Sequence, residues 1–256
     1  RGRLSLFFNL LRRELRSRFI GSVSGWLWLL VNPLLMLAVY AVVFGVVFKA
    51  RAPADLDVPF VAWLAVAMWP WLGFSDAIQR GSESIPQHAA LISKVPIRRE
   101  LLTLSAAMGA FLLQVAGYVF VLIAIGLLGI PLHPEGLLVV VPVLVTLALL
   151  ASALALVTAA LRVFIRDVQH LLPTLLMFWF FATPIIYAPE LLPDAFYAVI
   201  RWNPLTGLMD ELRAGLFTGQ LLPGLHTWLM LAASALLFGI ALGFYRRLSP
   251  HFEDFL

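Results

Sequence analysis

The sequence predicts an all-α integral membrane protein, and three observations carry that expectation. Its 256 residues are 62% hydrophobic and only 12% charged, with a mean hydropathy of +0.95, a composition that excludes an ordinary soluble domain. The apolar residues are gathered into stretches of the length that crosses a hydrocarbon core about 30 Å thick. The basic residues collect at one set of ends of those stretches, as the cytoplasmic excess of Lys and Arg in membrane proteins requires. A formal charge of +4 and a pI near 9.8 would raise nucleic acid as a partner for a soluble domain. Beside apolar spans the same residues are explained by topology, so no nucleic acid is expected. The chain has no Cys, which removes disulfides, a thiol nucleophile and thiolate metal ligands.

The chain begins Arg-Gly-Arg rather than Met, and an initial segment is expected to precede it. Residues 1–20 are read as an amphipathic interfacial helix. Leu4, Phe7, Phe8, Leu11, Leu15 and Phe19 recur at helical spacing, while Asn9, Arg12, Arg13 and Arg16 share the opposite arc. Such a helix lies in the headgroup layer, its arginines toward membrane-lipid phosphates or toward a docked protein. Six apolar stretches follow, at 26–48, 58–80, 101–130, 136–161, 171–188 and 224–245, and are read as six transmembrane helices. With the N-terminus in the cytoplasm, Lys49, Arg51, Arg201 and Arg213 are the only basic residues left outside, so both termini are expected to be cytoplasmic.

The second span holds Trp69-Pro70-Trp71 near its middle, then Phe74 and Asp76. Tryptophan ordinarily marks the membrane interfaces. Pro70 removes a helix hydrogen bond at the same depth, and interrupted helices are tolerated where they face protein or a watery path. Two readings are open there: packing between spans, or the lining of a conduit. The third span is rich in small residues (Ser105, Ala106, Ala107, Gly109, Ala110 and Gly117), which admit another helix closely, and Gln114 is its one strongly polar residue. After the uncharged fourth span comes a short basic connection containing Arg166 and Asp167. The region 189–219, moderately polar and split by Trp202-Asn203-Pro204, suits re-entrant or interfacial helices before the last span. No soluble domain is left over, so residues 1–256 make one transmembrane domain.

Between the second and third spans, residues 82–100 are too polar for lipid. Pro86 suits the first turn of a helix, Ser82 or Ser84 can cap that turn, and Pro96 stops it. The spacing predicts a short amphipathic cytoplasmic helix over 84–96, with Ile85, Leu91, Ile92 and Val95 on one side.

Catalytic and nucleotide-binding motifs do not occur. His88, His133, His170, His226 and His251 are scattered, with no two at ligand spacing, and nothing matches His-Glu-x-x-His, Gly-x-Ser-x-Gly or a phosphate-binding loop. Energy from ATP must therefore come from another chain. An intramembrane glycan-modifying enzyme would need an ionisable cluster within its spans.

The order of motifs carries a resemblance. An N-terminal amphipathic helix, Gly25-Trp26-Leu27-Trp28 with Asn32-Pro33, Lys94-Val95-Pro96-Ile97-Arg98, Phe164-Ile165-Arg166-Asp167, Thr183-Pro184-Ile185-Ile186-Tyr187 and Trp202-Asn203-Pro204 together resemble the membrane subunit of type-2 ABC exporters. Within these the chain looks most like permeases exporting lipid-linked polysaccharides such as O antigen, capsule or teichoic acid across the bacterial inner membrane. A same-fold exporter of a drug or small lipid is the alternative. The resemblance implies a homodimer driven by two copies of a separate ATP-binding subunit, which holds ATP and Mg, with no cofactor in this chain. It makes 84–96 the coupling helix seated in the ATPase, with Glu83, Gln87, His88, Leu91, Lys94 and Arg98 at that contact. Arg12, Arg13, Glu14, Arg166 and Asp167 would lie near it. Residues 189–219, with Trp202, Asn203 and Pro204 at their junction, would form the periplasmic gate. A glycan offers apolar C–H faces and hydroxyls in alternation, so its path calls for aromatic platforms, for which Tyr40, Trp69, Trp71, Phe74 and Tyr187 are the candidates.

Overall fold

The structure is a computed structural model that describes residues 2–17, 25–53, 56–92, 98–189, 192, 193, 196 and 200–255. These form helices α1 (Gly2–Ser17), α2 (Gly25–Tyr40), α3 (Phe60–Gln87), α4 (Ala89–Ile92), α5 (Arg99–Leu127), α6 (Leu137–Phe164), α7 (Val168–Ala182), α8 (Pro204–Thr218) and α9 (Leu225–Leu248). No strand occurs among the described residues. The protein is an all-α integral membrane protein. Helices α3, α5, α6 and α9 are long and apolar enough to cross a bilayer; the shortest of them, α9 with 24 residues, reaches about 36 Å at 1.5 Å per residue. The other two apolar stretches are shorter. Helix α2 passes directly into a π-helical stretch, Ala41–Val47.

The stretch 171–188 is not one continuous helix. Helix α7 has 15 residues and stops at Ala182, a length of about 22 Å. Thr183, Pro184, Ile185 and Ile186 beyond it are non-helical and buried. Irregular backbone survives at membrane depth only where protein satisfies its polar groups, and two residues of α8's region do this. Asn203 caps α8 by accepting from Leu205 N at 3.1 Å, and its carboxamide donates to the Ala182 carbonyl at 3.0 Å and to Thr183 Oγ1 at 2.9 Å. Arg213, inside α8, donates from Nη1 and Nη2 to the carbonyls of Pro184 and Ile185, each at 2.9 Å. Counted among the outside basic residues, Arg213 is 3% exposed.

Helix α3 is the centre of the molecule. Every residue from Ala62 to Trp71 is buried, against α5, α6, α7 and α8. The interruption expected at Trp69-Pro70-Trp71 does not occur, for α3 runs unbroken through Pro70 to Gln87. One missing N–H is a local cost; packing on all sides of the turn outweighs it. Small residues then bring helices together. A Cβ on Gly81 would lie 2.5 Å from Ala155 Cβ and 3.2 Å from Ala107 Cβ, and one on Gly109 would lie 2.9 Å from Glu14 Cγ. The small-residue third span thus admits two neighbours, α3 at Ala107 and α1 at Gly109. Helix α1 lies on α5 with Leu11 buried and Arg12 and Arg13 exposed, the division that its periodicity predicts.

Candidate functional site

One end of the bundle collects Arg98, Arg99, Arg162, Arg166, Arg246 and Arg247, and the first candidate site is the junction there. The separate helix expected over 84–96 is corrected. Ser84 does not cap a new helix; its hydroxyl donates to the Gly81 carbonyl at 2.7 Å, so 84–87 complete α3. His88 then breaks the helix, its Nδ1 2.9 Å from the Ser84 carbonyl, and α4 follows as far as the described residues reach. Residues 93–97, including Lys94, and the side chain of Leu91 lie outside the described residues.

Ser84 also stands 2.8 Å from Thr103 Oγ1, which stands 3.1 Å from the Tyr245 hydroxyl. Ser84's single proton goes to Gly81, so Thr103 must donate to Ser84 and Tyr245 to Thr103. This directed chain ties α3, α5 and α9 together where α4 begins. Around it, Arg246 Nε meets Glu100 Oε1 at 3.2 Å and Arg162 Nη1 lies 3.7 Å from Glu83 Oε1. Arg99 donates to the Ser249 carbonyl, fastening the 3-10 turn Ser249–Asp254. A depression of 270 Å³ opens between α4 and the connection after α6, lined by Pro86, Ala89, Arg162, Arg166, Gln169 and Phe255. Arg98, Arg166 and Asp167 are exposed beside it.

The second candidate is a groove of 810 Å³ between α1, α2, α3 and α5. Arg13 and Glu14 line it from α1, Trp28, Asn32 and Met36 from α2, and Ser105 and Gln114 from α5. Helix α3 contributes Ser75, Asp76, Gln79, Arg80, Gln87 and His88. Asp76 and Arg80 pair across one turn at 3.4 Å, and Gln79 donates to Ser75 Oγ at 3.1 Å. Asp76 stands eleven residues from the end of α3, about 16 Å along the helix. The groove therefore carries polar chemistry from the arginine-rich end into the apolar part of the bundle. Four residues expected at or near a partner contact, Arg13, Glu14, Gln87 and His88, line this groove; Arg12 is exposed on α1 and Glu83 is turned to Arg162.

The aromatic residues proposed for a path take another role in this conformation. Trp69, Trp71 and Phe74 are at most 3% exposed. Trp71 and Phe74 interlock with Trp179, the closest centroids 5.4 Å apart, and Tyr40 stacks on Phe180 at 5.7 Å. These rings join α2, α3 and α7 as core, the packing alternative left open by the sequence. Tyr187 sits apart, donating to the Phe181 carbonyl at 2.8 Å. At the expected gate, Trp202 is exposed, Pro204 starts α8, and Asn203 also accepts from Trp179 Nε1 at 3.0 Å. In the part of the expected gate before Trp202, residues 190, 191, 194, 195 and 197–199 lie outside the described residues.

The α3 stripe Ser75, Asp76, Gln79, Arg80 and Gln87 was the signal missed in the sequence: its spacings keep one helical face polar. The aromatic residues beside it drew the reading to the opposite face.

The sequence profile of the ABC-2 type transporter family matches residues 5–217. An O-antigen export system permease protein, RfbA, of Myxococcus xanthus is 32% identical over 233 residues, covering 89% of this chain and 86% of its own. A Klebsiella pneumoniae protein of the same description is 25% identical over 267 aligned residues, covering 99% of this chain and 97% of its own. The polysialic acid transport protein KpsM of Escherichia coli is 24% identical over 232 residues, covering 90% of this chain and 89% of its own.

Proposed function

The chain belongs to the ABC-2 type transporter family, and from that premise we propose that it is the permease subunit of an ATP-driven exporter of lipid-linked polysaccharide. Two copies span the inner membrane with both termini in the cytoplasm, and two ATP-binding subunits supply the nucleotide chemistry that this sequence lacks. The relatives' printed descriptions as O-antigen and polysialic acid exporters support the substrate class.

The observation that carries the reading is the junction of α3, α4, α5 and α9. Transport needs a partner to make different contacts in two states and a stiff element to transmit the difference. Helix α4 and the depression bearing Arg162 and Arg166 offer the ATPase its contact, and Ser84, Thr103 and Tyr245 pass the displacement to three spans at once. The basic residues collected at this end support a cytoplasmic placement for it. A cysteine at Ala89 or Leu91 is expected to crosslink to the ATP-binding subunit, since the chain has no other thiol. An intact complex with no crosslink from any position between 84 and 92 would reject the docking assignment.

A further inference from the structure

We propose that the groove between α1, α2, α3 and α5 is a saccharide-binding site within one protomer, built for the neutral, hydroxyl-rich part of the exported lipid and not for its phosphate. The inference rests on the permease reading and names where and how that substrate is held.

The first argument is an unpaired group. Gln114 belongs to a membrane-spanning helix, is half-buried and lines the groove, and its carboxamide has no hydrogen-bond partner among the described residues. Facing hydrocarbon, such a group is strongly disfavoured; the groove must hold water or a ligand with hydroxyls. The second is composition. Carboxamides at Asn32 and Gln114 donate and accept at once, as alternating sugar hydroxyls demand, and Gln79, whose Nε2 donates to Ser75, adds an acceptor oxygen. Trp28, 54% exposed on the α2 wall, supplies a flat apolar face for C–H groups. The third is charge. Arg13 and Arg80 are matched by Glu14 and Asp76 in the same groove, with Arg80 held to Asp76 at 3.4 Å. Balanced charge repels a pyrophosphate about as much as it attracts one, and leaves neutral hydroxyls the favoured occupant. A volume of 810 Å³ suits a ligand of a few sugar rings.

The test uses the complete complex with its ATP-binding subunit in lipid nanodiscs. Gln114→Cys introduces the one thiol of this chain, and its modification by a charged thiosulfonate reagent is read as the mass of the chain. A thiol at Gln114 is expected to react faster than one at lipid-facing Leu112. A diacylglycerol with a neutral disaccharide head should slow the reaction about tenfold, the scale of one aromatic contact, while sugar-free polyisoprenyl pyrophosphate leaves it unchanged. Trp28→Ala should raise the glycolipid concentration for half-protection about tenfold, and Trp28→Phe should restore most of it. Equal reactivity at the two thiols, no protection by the glycolipid, or protection by the pyrophosphate lipid instead overturns the proposal. ATP-dependent glycan export by the unsubstituted complex is measured in parallel. Export without protection rejects the groove alone; no export rejects the permease reading and the groove with it.

Discussion

The guanidinium carbon of Arg213 lies 3.4 Å from the centre of the Trp63 ring, while Nε of the same group donates to the Trp63 carbonyl at 3.3 Å. With the two bonds to Pro184 and Ile185, one buried side chain joins α3, the break after α7, and α8. Its charge faces an aromatic ring and carbonyl oxygens, with Asp210 at 3.8 Å toward solvent. Arg213→Met leaves those carbonyls without donors and should cost about 3 kcal/mol. Lys keeps the charge but not the planar fork, so Arg213→Lys should fall between Met and the parent. Thermal unfolding in detergent checks the order; equal melting temperatures for Met and the parent would dismiss the clamp.

Truncating Trp69 or Trp71 to Ala should cost about 3–5 kcal/mol, because both rings are fully packed. Export should fall in proportion to folded protein recovered, and Trp71→Phe should restore both. A Trp71→Ala protein with parental melting temperature and no export would return these rings to the substrate path.

Gly81→Ala should destabilise by about 1–3 kcal/mol, since the new methyl lands on Ala155 Cβ. Ala155→Gly removes the atom it meets. The pair Gly81→Ala with Ala155→Gly should therefore recover most of the loss, measured as melting temperature. No recovery in the double variant would place the strain elsewhere.

Asn203→Ala loses two accepted and two donated hydrogen bonds and should cost about 2 kcal/mol. Asn203→Asp keeps the acceptor for Leu205 N and loses the donors toward Ala182 and Thr183. Hydrogen exchange at the Leu205 amide should accelerate in the Ala variant and stay slow in the Asp variant. Acceleration in both would mean that the cap depends on the bridge to α7.

Local chemistry made part of this architecture readable. The period of Leu4, Phe7, Phe8, Leu11 and Leu15 marks α1, and long uncharged runs mark α3, α5, α6 and α9. Asn203-Pro204 marks the start of α8 because a cap and an N1 proline act on neighbouring residues. Pro70 misled because its missing N–H is local while the packing that outweighs it comes from other helices. Ser84 misled too: a serine before a proline reads as a cap, while its hydroxyl donates back to the Gly81 carbonyl and accepts from Thr103, nineteen residues on. Arg213 had no local signature. Beside Asp210 and Glu211 it counts as one more outside cation, while the carbonyls that hold it are 28, 29 and 150 residues away. The groove was half visible, in a polar period on α3 whose opposing wall depends on how α1 and α2 fold back over it.

Helix α3 touches the Ser84 network near one end and the Arg213 clamp near the other, with no hinge in the 28 residues of its length. A jointed element would let the two ends of the molecule keep separate schedules. A rod of about 42 Å does not. On the permease reading proposed above, a displacement where Ser84 sits is carried along that rod to Trp63, and with it to α8.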